Sequence, residues 1–346
     1  MRPARLAGLA TAVPAHAFSQ VEAREAARRI FGGALPDTPR LLAVFERAGI
    51  ERRHSCLPLE ELLRPRGFAE RNALGLVAAE ELAARAARDA LRRAGCGVQE
   101  VDALVTVSST GVATPSLDAR LAELLGLPAV VERTPMVGLG CAGGVLGLSR
   151  GAALARAAPG SRVLVVVVEL CTITLRLGDH SKANLVACAL FADGAAAALV
   201  STAGEGPALA GWGEHRWPDS LDVMGWRVEE DGLGVLFAVE VPEIARRGLR
   251  APTDAFLARH GLARRDIDRW ICHPGGAKVL DALAEAYGID EAALVDSRTV
   301  LRDFGNMSSA TVLFVLQRAL AAGAWRRGLA MALGPGFSAG FLLVEP

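Results

Sequence analysis

Apolar residues recur every three to four positions over 73–94, and this spacing predicts an amphipathic helix. A strand follows at 101–107 (VDALVTV). After Gly140 a run of small residues (GCAGGVLGLSRGAALARAA) predicts a second helix, which leads through Pro159 and Gly160 into RVLVVVVE. That run does not alternate, so it predicts a strand covered on both faces. The same order returns later in the chain. A helix-then-strand unit spans 252–272, and FGNMSSATVLFVLQRALAAGA leads into RGLAMALG. Asp102 and Asp268 lie 166 positions apart, and Cys141 and Asn306 lie 165 apart, so both pairs of units share nearly one offset.

We read this as an internal duplication. It predicts an α/β protein of two similar halves, drawn as domains 1–205 and 206–346, each with helices packed on a sheet. Stacked halves would give αβαβα layers with helices in the middle. Matching loops of the repeat would then meet at one cleft, so residues at equivalent positions become candidates for a shared site.

Composition narrows the class. The 346 residues are 51% apolar and carry 38 basic against 38 acidic side chains. A nucleic-acid binder or membrane-surface protein needs a basic excess, so neither is expected. No purely apolar run approaches the length of a membrane span. The six cysteines form no C-x-x-C pair, which points to reduced thiols in a cytoplasmic protein and to no metal site.

Cys141 opens the small-residue helix among Gly138, Gly140, Gly143 and Gly144. A helix N-terminus favours a thiolate, and a protonated histidine beside it more so, so the thiol is expected below its usual pKa. Taken alone, this cysteine is equally a small buried residue in a helix contact. His273 leaves the strand RWIC just before Pro274, Gly275 and Gly276, where an isolated histidine is often structural. Asn306 sits at the repeat position equivalent to Cys141, where alone it reads as a helix cap. Together the three supply a nucleophile and two hydrogen-bond donors, the set needed to form and consume a thioester. One rival pattern is the G-x-G-x-x-G of Gly138, Gly140 and Gly143 with Glu169 ending the next strand, as in a dinucleotide site. The segment before it, VERTPM, is not the smooth apolar strand such a site requires.

The stretches GLGCAGGVLGL, CHPGGAKVL, FGNMSSATVLFVL and LGPGF resemble the thiolase-fold condensing enzymes, and among them the type III polyketide synthases of the chalcone synthase-like family. The resemblance extends over nearly the whole chain. It implies a thiolase-like fold, a homodimer, and CoA thioesters used directly, with no cofactor and no carrier protein. By it, Cys141 takes an acyl group from an acyl-CoA, while His273 and Asn306 hold malonyl-CoA for decarboxylation. Phe191 matches a gatekeeper phenylalanine. Val235 stands where the plant enzymes have a second, and Trp226 where they have glycine. Thr174 and Ser308 match other cavity positions, and Arg47 and Arg52 fall where the family binds CoA phosphates. The expected product is an alkylpyrone built on a fatty acyl starter. The alternatives are an alkylresorcinol or tetrahydroxynaphthalene-type synthase, or a ketoacyl-carrier-protein synthase III-like enzyme that stops after one condensation.

Overall fold

The computed structural model describes residues 2–34 and 38–346. Its strands are β1 (Ala4–Ala12), β2 (His16–Ser19), β3 (Arg52–Ser55), β4 (Ala103–Val107), β5 (Glu132–Met136), β6 (Arg162–Leu170), β7 (Asp193–Ser201), β8 (Ala208–Arg216), β9 (Met224–Glu229), β10 (Gly232–Phe237), β11 (Arg269–Cys272), β12 (Gly328–Gly334) and β13 (Ser338–Glu345). Nine of them form one sheet in the order β11-β12-β13-β8-β1-β7-β6-β4-β5. The two ends of this sheet belong to the two halves of the chain. Among the described residues they join through two ladder pairs, Ala4 with Leu209 and Arg5 with Ala208, and the Leu6 N–H bonded to Pro207 O.

In the first half the valine run occupies β6, parallel to β4 on one side and antiparallel to β7 on the other. Every residue from Val163 to Leu170 is buried, as the unbroken apolar pattern requires. Helix Phe68–Arg93 covers the outer face with Ala79, Ala83, Ala87 and Ala90, a spacing that places them on one stripe. It lies so close to the sheet that a Cβ on Gly8 of β1 would stand 2.4 Å from the carbonyl of Ala90. In the second half, helix Ala277–Tyr287 belongs to the corresponding outer core, with Leu280 and Leu283 buried among Trp270, Leu329 and Phe341.

Helices Gly143–Ala157 and Thr311–Ala321 lie between the two sheet regions and share one core with residues of β4, β6, β12 and β13. Ten residues of the first are buried, so the small side chains that blur its amphipathic pattern reflect burial on all sides. Their starts nearly touch. A Cβ on Gly144 would lie 2.1 Å from the carbonyl oxygen of Ser309. The layers are therefore αβαβα and the fold is thiolase-like. The hairpin of β9 and β10 stands apart as its own two-stranded sheet.

Candidate active site

Both middle helices are preceded by a 3₁₀ turn, Gly140–Ala142 in one half and Ser308–Ala310 in the other. Cys141 lies in the first turn and Asn306 two residues before the second, so the duplication brings its equivalent loops together. The Cys141 thiol points toward Ser308 Oγ at 3.6 Å and Asn306 Oδ1 at 4.0 Å. Asn306 is held from several sides. Its Oδ1 accepts from the Ser308 N–H at 2.8 Å, and its Nδ2 donates to the Gly275 carbonyl at 3.3 Å. Its backbone N–H donates to Leu190 O at 2.9 Å and its carbonyl accepts from the Ala192 N–H at 2.8 Å. His273 follows β11, fixed by its N–H to Met331 O at 2.8 Å.

Cys141, His273 and Asn306 line one cavity of about 20 Å³, closed by Met224, Phe237 and Leu333. His273 is 4% exposed, and neither ring nitrogen has a hydrogen-bond partner. Buried polar atoms are almost always paired, so two unpaired nitrogens on one ring leave both open to a partner from the cavity. Burial pulls the His273 pKa down to about 3. Burial likewise pushes the Cys141 thiol up to about 12, outweighing the Ser308 and Asn306 hydrogen bonds that favour the thiolate, while the nearby Glu169 charge adds to the rise. These directions run against the expectation of a lowered thiol pKa beside a cationic histidine. Loss of water acts on both groups against their charged forms, opposing the pull of the helix N-terminus.

Behind the thiol lies a network the sequence reading missed. Glu169, fully buried, accepts from Ser309 Oγ at 2.6 Å, Thr110 Oγ1 at 2.9 Å and the Ser109 N–H at 3.0 Å. Ser109 Oγ in turn accepts from the Gly140 N–H at 3.2 Å. Burial raises Glu169 to about 7 against the pull of those bonds. A charged residue ending a wholly buried strand was the available signal. These contacts also dispose of the dinucleotide pattern: Glu169 is spent inside the core, and Gly143 and Gly144 give room to Val107 and Ser309 instead of to phosphates.

A second cavity, of about 70 Å³, is lined by Phe191, Val235 and Thr174 together with Ala27, Ile30 and Leu62. Three of the expected pocket residues thus meet there, and Ser308 is instead beside the thiol. The Thr174 hydroxyl donates to Cys171 O at 2.7 Å. Trp226 pairs with Val235 across the hairpin, and its half-buried ring lies 6.4 Å from that of Phe191. It lines neither cavity, but its neighbours Phe191 and Val235 both line the second. Arg47 and Arg52 are both exposed. Neither lines a cavity described here.

This layered fold, with one site built from the twin loops of a duplication, is that of the condensing enzymes. The model of the chalcone and stilbene synthase N-terminal domain matches residues 3–204, and that of the C-terminal domain matches 214–345. The chain belongs to the chalcone and stilbene synthase family and is an acyltransferase, a polyketide synthase of type III. It is 39% identical to the 1,3,6,8-tetrahydroxynaphthalene synthase of Streptomyces peucetius subsp. caesius, over 99% of this chain and 93% of that one. It is 30% identical to the 3,5-dihydroxyphenylacetyl-CoA synthase of Amycolatopsis balhimycina, over 99% and 92%. The crystal structure of 1,3,6,8-tetrahydroxynaphthalene synthase from Streptomyces coelicolor, a bacterial type III polyketide synthase, superposes with a TM-score of 0.94 at 31% identity, covering 99% of both chains.

Proposed function

We propose that the protein condenses malonyl-CoA onto an acyl group carried by Cys141, with His273 and Asn306 stabilising the enolate. The observation that carries this reading is the unpartnered His273 ring sharing one cavity with Cys141 and Asn306. For loading, the neutral imidazole accepts the thiol proton as sulfur attacks the acyl-CoA carbonyl, and the departing CoA thiolate takes that proton away. For extension, the malonyl C–C bond breaks and CO2 leaves. The electron pair moves onto the thioester oxygen, where hydrogen bonds from His273 and Asn306 strengthen as charge develops. The enolate carbon then attacks the acyl–Cys141 carbonyl and expels the Cys141 thiolate. The scheme uses CoA thioesters directly and needs no cofactor and no carrier protein. A homodimer in the cytoplasm, with Arg47 and Arg52 meeting the CoA phosphates, belongs to the same reading.

The starter we propose is a fatty acyl-CoA, extended to a triketide that closes as an alkylpyrone. Its support is the apolar cavity beside Phe191, where Val235 leaves room for a flexible chain. A second reading, a malonyl-primed synthase of the tetrahydroxynaphthalene type, is favoured by the 39% identity to such an enzyme. Incubation with labelled malonyl-CoA, alone and with acyl-CoAs of increasing length, followed by mass analysis, decides between them. Catalytic efficiency rising with chain length supports the first. A fused aromatic product from malonyl-CoA alone overturns it in favour of the second.

A further inference from the structure

Arg53 lies on β3 and is 2% exposed, yet among the described residues no carboxylate is within ion-pair distance of it. Its Nη1 donates to two carbonyls, Cys188 O at 2.7 Å and Phe191 O at 2.8 Å, while its Nε has no partner. Its guanidinium rests over the Phe18 ring at 5.0 Å. The nearby buried Asp193 favours its charge but spends its oxygens on Cys56 and Thr172, and a buried cation with no carboxylate in contact is a poor device for stability, since an apolar side chain of similar shape avoids the desolvation. The backbone it grips shows what it offers instead. Leu190 O and Ala192 N face Asn306 and bond to it, and the carbonyl of the intervening Phe191 turns to the opposite edge, as in any extended strand, where Arg53 meets it. On the other side of the bridge, Gly305 has φ +71° and lies against the Arg53 methylenes, which would be 2.8 Å and 2.9 Å from a Cβ there.

We propose that Arg53 is a positioning residue for decarboxylation: by bracing both strands of the Phe191–Asn306 bridge, it sets the place of the Asn306 amide in the cavity. The inference rests on the role proposed above for Asn306. Both bonds leave from the one Nη1 at the end of the side chain, and a lysine ammonium sits on a stem one bond shorter, so Arg53→Lys keeps the charge and loses the brace.

The test compares Arg53→Lys, Asn306→Ala and the parent in two half-reactions, malonyl-CoA decarboxylation and transfer of acetyl from acetyl-CoA to Cys141 followed by intact mass. In Arg53→Lys, kcat for decarboxylation is expected to fall roughly ten- to a hundredfold, the scale of a misplaced group. Its KM for malonyl-CoA and the rate of acetyl transfer are expected to change less than about twofold, because a shift of one donor amide leaves uniform binding intact. Equal losses in both half-reactions, or decarboxylation within twofold of the parent, overturn the proposal. Should Arg53→Lys not fold, Phe18→Leu removes the ring beneath the guanidinium. A several-fold fall in its decarboxylation kcat alone supports the brace, and an unchanged kcat overturns it. Normal decarboxylation in Asn306→Ala would instead sink the reading of Asn306 itself.

Discussion

At the scale of single residues, the active-site chemistry turns on how far burial carries each group from its solution behaviour. Cys141→Ala removes the nucleophile but leaves His273 and Asn306, so condensation is expected to vanish while some malonyl-CoA decarboxylation persists. His273→Ala or Asn306→Ala should lower decarboxylation by ~10²-fold or more, as for an oxyanion donor. Release of labelled CO2 measures both, and condensation by Cys141→Ala at the parent rate would remove the thiol from the mechanism. The raised thiol pKa makes a second prediction. Of the six cysteines, Cys96 is only half-buried and, unlike Cys56, lacks a buried carboxylate at hydrogen-bond distance. Iodoacetamide near neutral pH should therefore alkylate Cys96 before Cys141 when no CoA thioester is present. Peptide mapping after brief labelling reads the order, and Cys141 reacting first would mean that its thiolate forms without substrate. The residue types were legible in the sequence. Their protonation states were not, because a helix N-terminus is visible locally, whereas the depth of burial comes from strands and loops more than a hundred positions away.

At the scale of elements, the strands and helices read from the sequence followed from patterns the chain displays openly, whereas β1, β7, β8 and β13 of the same sheet were not read. The unbroken valines of β6 and the stripe of alanines in helix Phe68–Arg93 each state which faces are covered. The shared offset of Cys141 and Asn306 predicted twin loops, and both proved to be 3₁₀ turns leading into middle helices. The hairpin of β9 and β10 was less legible. Val235 and Trp226 were located by resemblance, but the ring contact between Trp226 and Phe191 depends on how the hairpin folds over the site. Its tip is held by Arg176, which bonds Asp231 at 2.7 Å through Nε, and by Arg71, which donates to the Asp231 carbonyl. If the cavity beside Phe191 takes the acyl chain, Val235→Phe should fill part of it. Each methylene excluded forfeits about 0.8 kcal/mol of binding, so long-chain acyl-CoAs should lose more kcat/KM than short ones. An equal loss across a chain-length series would place the acyl group elsewhere.

At the scale of the whole molecule, the site depends on how the two halves meet. Gly144→Ala puts a methyl on the Ser309 carbonyl at the crossing of the middle helices. Overpacking of this kind costs about 1–3 kcal/mol, so the melting temperature should drop and decarboxylation should fall with it. A variant with the parent melting temperature would show that the crossing can relax. The buried titrating groups also give stability a pH dependence of opposing parts. Folded Glu169 titrates near 7 instead of 4.5, so between those values the folded state holds a proton that the unfolded chain has released. Its contribution to stability is full below 4.5 and is lost as pH rises to 7. His273, held near 3, acts the other way: stability falls as pH drops from 6.5 toward 3, because the unfolded chain binds a proton that the folded ring refuses. In Glu169→Gln the first part disappears, so melting temperature should climb more steeply from pH 4.5 to 7 than in the parent. Parallel curves would mean that the carboxylate is charged throughout.

The hairpin of β9 and β10 pairs with no strand of the nine-stranded sheet, while Cys141, His273 and Asn306 all hang from the ends of that sheet or from the helices buried against it. The hairpin therefore meets the catalytic cavity only as a wall, through Met224 and Phe237, while the groups proposed for the chemistry are carried by the core. On the reading proposed above, exchanges along the hairpin would reshape that wall while leaving the buried loops of Cys141, His273 and Asn306 in place.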